Sequence, residues 1–132
     1  MDKTLKTFIG FILFIFFLGV ILAPGMAQRK ASSSAQSLVK TVLNYWKNGD
    51  AASGKALWLN QSRFPDIYDL KSYTIQKTST EKIGKKDFLT KVHVQMHFNP
   101  NSLMPDEKVW VFEIQQKKRV NAVSDFYLLK DD

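Results

Sequence analysis

The sequence predicts an α+β chain: an N-terminal transmembrane or signal helix, then a helical hairpin packed on a four-stranded antiparallel meander. Three observations predict it. An uncharged run spans Thr7 to Gln28, a strongly helical period follows over residues 35–47, and after Pro65 the period changes to alternation. The corresponding division is 1–27 for the membrane anchor or signal peptide, 28–34 for a linker and 35–132 for a small domain. The domain is about a hundred residues, room for one core and one domain.

The first element is led by MDKTLK, and its densest part, Phe8 to Leu22, is Phe, Ile, Leu and Val interrupted by Gly10 and Gly19. A helix of that length is roughly 30 Å, about the thickness of a bilayer's hydrocarbon core. Pro24 and Gly25 are expected to end it. Two readings stand. Gly25 and Ala27 are small residues spaced for cleavage after Ala27, as in a signal peptide, while Thr7 to Ala27 also meets the length of a retained anchor. A leader this close to the start leaves its short head inside and exports the rest of the chain. The expectation is a single-pass membrane protein, N-terminus inside and domain extracytoplasmic, or a secreted one if the leader is cleaved.

The segment QRKASSS, 28–34, is small and polar and reads as a tether. Ser33 and Gln36 have capping-box spacing, which predicts a helix start there. Leu38, Val39, Val42, Leu43, Tyr45 and Trp46 then form one apolar arc, opposite Lys40, Thr41, Asn44 and Lys47. Asn48, Gly49 and Asp50 stop this helix, and Asp50 caps a second one over about Ala51 to Leu59. Asn60, Gln61 and Ser62 spell a glycosylation triplet, which matters only in a eukaryotic secretory pathway.

Strands are expected at Leu70 to Lys77, Phe88 to Phe98, Val109 to Gln116 and Val120 to Leu129. The second alternates cleanly, with Phe88, Thr90, Val92, Val94, Met96 and Phe98 on one face and Lys91, His93, Gln95 and His97 on the other. Irregular alternation in the fourth predicts a bulge or a two-sided environment.

The stretch Val42 to Trp58, VLNYWKNGDAASGKALW, holds an aromatic pair, a Gly-Asp break and a following Ala and Leu. With the antiparallel strands and a last strand through Ser124-Asp125-Phe126, it resembles the nuclear transport factor two-like superfamily, which overlaps the cystatin-like grouping. The resemblance implies a cone-shaped α+β fold, pairing through the sheet, and, in enzymatic members, Asp, His or Tyr in the mouth between helix and sheet. This chain is short of a helix and a strand or two of the common form.

Chemistry-bearing patterns are few. The chain has no cysteine, which removes disulfides, thiol nucleophiles and thiolate metal sites. His93 and His97 point the same way, but four residues along a strand is about 13 Å, too far to hold one ion. Inward strand positions are Phe, Val, Met, Trp and Ile, with nothing titratable. Asp66, Tyr68 and Asp69 form an acid–aromatic cluster in the loop before the first strand. No nucleophile elbow, phosphate loop or zinc-protease helix occurs. No catalytic residue, metal or cofactor is assigned, and enzymatic activity is left open.

Two surfaces remain. Lys82, Lys85 and Lys86 lie between strands one and two, and Lys117, Lys118 and Arg119 between strands three and four. Alternate turns of a meander share an end of the sheet, so these six form a basic rim for anionic lipid or an acidic partner; ordinary solvated turns are the alternative. The outward sheet face should gather His93, Val109, Val111, Val123 and Tyr127, either as an interface or as a patch covered by loops. A net charge of +7 suits anionic partners, but no aromatic residues interleave the basic ones, so nucleic acid is not among them. The expected role is a non-catalytic protein-binding or complex-assembly module, its partners the membrane through residues 7–27 and a protein or a second copy. The alternative is an exported small-ligand-binding protein or enzyme using the helix–sheet pocket.

Overall fold

A computed structural model describes residues 2–130, with side chains from Gly25 onward. The chain is α+β: α1 (Asp2–Lys47), α2 (Ala51–Lys55), a single 3-10 turn (Gln61–Arg63), then β1 (Leu70–Lys82), β2 (Phe88–Phe98), β3 (Lys108–Lys117) and β4 (Val120–Leu128). The anchor-or-signal assignment of Thr7 to Pro24 falls on side chains outside the described residues. Among the described residues, no helix is long and apolar enough to cross a membrane.

The strands form one antiparallel sheet in the order β1-β2-β3-β4, each paired with its neighbour in sequence. β2 shows why. Its even positions from Thr90 to Phe98 are buried and its odd ones partly open, the mark of a strand with one packed face. That face meets α1: Ala35, Val39, Val42, Leu43 and Trp46 lie against Val92, Val94, Met96, Phe112, Ile114 and Val123. Each fully buried aliphatic or aromatic side chain contributes roughly 1.5–3 kcal/mol, before the entropy of ordering it.

Three local expectations change, and a fourth is met with a consequence for one residue's facing. Gly25 to Lys47 is helical throughout, so neither the break at Pro24 and Gly25 nor a start at Ser33 occurs. The reason is partnership: Ala31 and Ala35 are buried, and Ser32 of the expected tether and Gln36 of the expected capping box find hydroxyl partners on the sheet at Thr80 and Thr78. A proline costs a helix one hydrogen bond and can leave the rest of the ladder standing.

Second, α2 stops at Lys55 and not Leu59. Asp50 does cap it, accepting from the Ser53 N–H at 3.2 Å and the Ser53 hydroxyl at 2.7 Å. Beyond Lys55 the backbone leaves the helix to pair with β4. The Leu59 N–H donates to the Val123 carbonyl at 2.8 Å, and the Val123 N–H to the Leu57 carbonyl at 2.9 Å. Those bonds cover part of the sheet's open edge, where unpaired groups would otherwise face water.

Third, β1 runs on to Lys82, with register irregularities near Lys71 and Gln76. Fourth, the bulge expected in β4 is present: Glu113 pairs with Asp125 while Ile114 pairs with Val123, leaving Ser124 as the extra residue. Ser124 anchors it by donating its hydroxyl to the Glu113 carbonyl at 3.1 Å. An extra residue reverses facing, so Val123 turns inward while Tyr127 stays outward. Val123 is fully buried in the core, and its place in an outward patch is corrected accordingly.

Candidate interaction surfaces

The space between helix and sheet is filled. Leu43, Val39, Val42, Val92, Val94, Met96, Phe112 and Ile114 are fully buried there. Toward the C-terminal end of α1, Trp46 sits among Trp58, Phe64, Phe112 and Phe126 at ring-centroid distances of 5.5–6.0 Å. Trp110 stacks on Phe126 at 4.9 Å. The indole N–H groups of Trp46 and Trp110 are buried without a hydrogen-bond partner. Asp66, Tyr68 and Asp69 are exposed in the loop leading to β1, apart from this cluster. Asp69 holds a left-handed backbone, φ 58°, and its carbonyl accepts from the Asn99 N–H at 2.9 Å, so the acid–aromatic loop has a structural job.

The inward face changes character along its length. Toward the end nearer the N-terminal part of α1 it becomes polar: Ser32 hydrogen-bonds Thr80, Thr80 bonds Thr90 at 3.0 Å, and Thr90 donates to the Gln116 side chain at 3.3 Å. Gln116 returns to the helix by donating to the Ala31 carbonyl at 3.1 Å, and Gln36 donates to Thr78 at 2.8 Å. Sequence reading missed this chain of side chains. Its only sign was Thr90 standing at an inward position of β2.

Among the described residues, the helices pack on the inward face and none is placed on the outward one. Register sets one row across it, Lys77–His93–Val111–Tyr127, with Val109 in the next row beside Gln95. Val111 is buried although it stands apart from the core cluster. His93, Val109 and Tyr127 are half-buried. Of the five residues expected here, four are together and Val123 is on the other side.

Charged groups surround that apolar row. Glu113 lies opposite Asp125 and forms an ion pair with Lys91 at 3.8 Å. Burial pushes the Glu113 carboxyl above its ordinary value; Lys91 pulls it down, and Asp125 pushes it up by repulsion and a shared hydrogen bond. His93 is held below its ordinary value, first by burial and then by the Lys77 and Lys91 ammonium groups. His97 lies on the same face, and among the described residues no group of three His, Asp or Glu is placed to hold a metal ion.

The basic turns do share an end. Lys82 pairs with Phe88, Phe88 with Gln116 and Gln116 with Asn121, so the β1–β2 and β3–β4 connections leave the sheet side by side. Lys82, Lys85, Lys86, Lys117, Lys118 and Arg119 are all exposed there. An open groove of about 460 Å³ between α1 and β1 lies at this same end, lined by Gly25, Gln28, Arg29, Ser32, Ser33, Gln36 and Thr80. No family model matches the chain, and no curated protein matches it.

Proposed function

We propose that this chain is a membrane-anchored, extracytoplasmic, non-catalytic module of the nuclear transport factor two-like kind, which binds a protein partner or assembles a complex through the open face of its sheet. One observation carries the reading. Packed apolar and aromatic side chains occupy the helix–sheet space where relatives of that fold would place a ligand, while the opposite face offers Val109, Val111 and Tyr127 beside charged groups and, among the described residues, lies under no other element. A mixed apolar and charged face suits a protein interface: the apolar part supplies affinity and the charges choose the partner. The order helix, Gly49-Asp50 break, short helix and antiparallel strands supports the fold kinship, and the uncharged stretch Thr7 to Gln28 supports the anchor.

The test is photo-crosslinking of the full-length chain in its native membranes. A photoreactive side chain replacing Tyr127 should give a defined protein adduct, and one replacing Leu103, at the far end of the sheet and 89% exposed, should not. Absence of an adduct from position 127, with a melting temperature raised by small apolar ligands, would replace this reading by the small-ligand-binding one.

A further inference from the structure

We propose that the end of the sheet bearing the two basic turns is a seat for anionic lipid headgroups, held against the bilayer surface by α1. The inference rests on the membrane-anchored reading and adds to it which part of the domain meets the lipid and how.

Height along the helix carries it. Ser32 of α1 touches Thr80 of β1, which places both at one level, and Gln36 with Thr78 and Asn44 with Tyr73 show the two elements running in opposite directions. From Ser32 back to Gly25, a described residue of the uncharged stretch, the helix rises about 10 Å. From Thr80 forward, two residues to Lys82 cover about 7 Å, and the turn from Ile83 to Asp87 extends beyond that. The tips of the basic turns therefore stand level with the place where the helix becomes continuously uncharged. That is the depth of headgroups, and the separation is comparable to the roughly 8 Å screening length at physiological salt.

Continuity of the helix matters as much as position. Gly25 to Lys47 has no break, and its inner side is tied to the sheet at Ala31, Ser32 and Gln36. A flexible tether would let the domain tumble away from the surface; a helix fastened to the sheet holds this end down. Charge agrees with geometry. Besides the six cations of the turns, Arg29 and Lys30 are exposed on α1 at the same end, and among the described residues the acids in or beside these turns are Glu81 and Asp87. The opposite end is balanced: Asp50, Asp66, Asp69, Asp106 and Glu107 lie in or beside its loops together with Lys47, Lys55, Arg63, Lys71, Lys108 and Lys130. Such polarity orients a domain on a negative surface. The groove floored by Ser32 and Thr80 and edged by Arg29 opens at this end and offers hydroxyl and guanidinium donors to a phosphodiester.

The chain has no cysteine, so a single fluorophore can be placed at will. Full-length protein is reconstituted into phosphatidylcholine vesicles with and without phosphatidylglycerol, labelled at Ile83→Cys in the β1–β2 turn or at Leu103→Cys at the far end. Quenching by a headgroup-attached quencher is then measured. The label at 83 should be quenched, more strongly with phosphatidylglycerol and less at high salt, and the label at 103 should not. The combined variant Lys85→Gln, Lys86→Gln, Lys118→Gln, Arg119→Gln should lower the docked fraction, by about 5-fold in the docking equilibrium per cation removed, with an unchanged circular dichroism spectrum. Protein that floats with vesicles but shows equal quenching at 83 with either lipid, or none lost in the variant, overturns the seat and leaves the anchor standing. Protein that fails to float with either vesicle overturns the anchor and the seat together.

Discussion

Replacing Val123 by threonine tests the bulge that divides core from interface. The two side chains have nearly the same shape, so the change exchanges a methyl for a hydroxyl and leaves packing volume alone. Val123 is fully buried, opposite Ile114 and bridged to Trp58, and its own N–H and carbonyl are taken by Leu57 and Leu59. A hydroxyl buried there without a partner costs about 1–3 kcal/mol. For a domain of about a hundred residues, each kcal/mol lowers the melting temperature by roughly 4–8 °C. The control is Val109→Thr on the outward face, where the hydroxyl reaches water and the expected change is within about 0.5 kcal/mol. Urea unfolding of both variants, monitored by the fluorescence of Trp46, Trp58 and Trp110, gives the difference at constant slope. If Val123→Thr unfolds at the same urea concentration as the parent while Val109→Thr does not, the inward facing of β4 at residue 123 is wrong.

Glu113→Gln probes the charged rim of the open face. Its folded-state pKa lies above the ordinary 4.5, so the folded chain holds this proton more tightly than the unfolded one. That preference stabilises below the ordinary value and is lost as pH rises through the raised one, leaving a buried charge as a liability at pH 7. The variant should therefore be more stable than the parent at pH 7 and indistinguishable from it in acid; equal urea midpoints at pH 7 would refute this. Gly54→Ala should be tolerated or stabilising by up to about 1 kcal/mol, since an added methyl would meet the Phe64 ring at 3.6 Å and the Trp46 indole nitrogen at 3.7 Å, ordinary contact distances. A lower melting temperature for that variant would show that the aromatic cluster has no room for the methyl.

Much of this fold was legible locally. The sequence of β2 alternates so regularly that its faces could be assigned before any neighbour was known, and the Gly49-Asp50 stop carries its own chemistry: a positive φ of 74° at Gly49 and a carboxylate cap at Asp50. Of the surfaces, the grouping of the basic turns followed from meander connectivity alone. The acid pair Glu113 and Asp125 was not legible, because which residues face each other across two strands depends on a register that one inserted residue resets.

What the sequence by itself determined is the composition of the faces, the class of fold and the uncharged N-terminal run, because hydrophobic periodicity acts over a few residues and needs no partner. Only the tertiary structure decided that QRKASSS is helix, that Val123 is core, and that Ser32 of that helix stands level with Thr80, two residues before the first basic turn. Each of those depends on a contact between segments distant along the chain: the segment is held in the helix where Ser32 meets Thr80 and the Ala31 carbonyl meets Gln116, and a valine changes sides when Ser124 is squeezed out of the ladder. Local propensity is too weak, at a few tenths of a kcal/mol per residue, to resist such contacts.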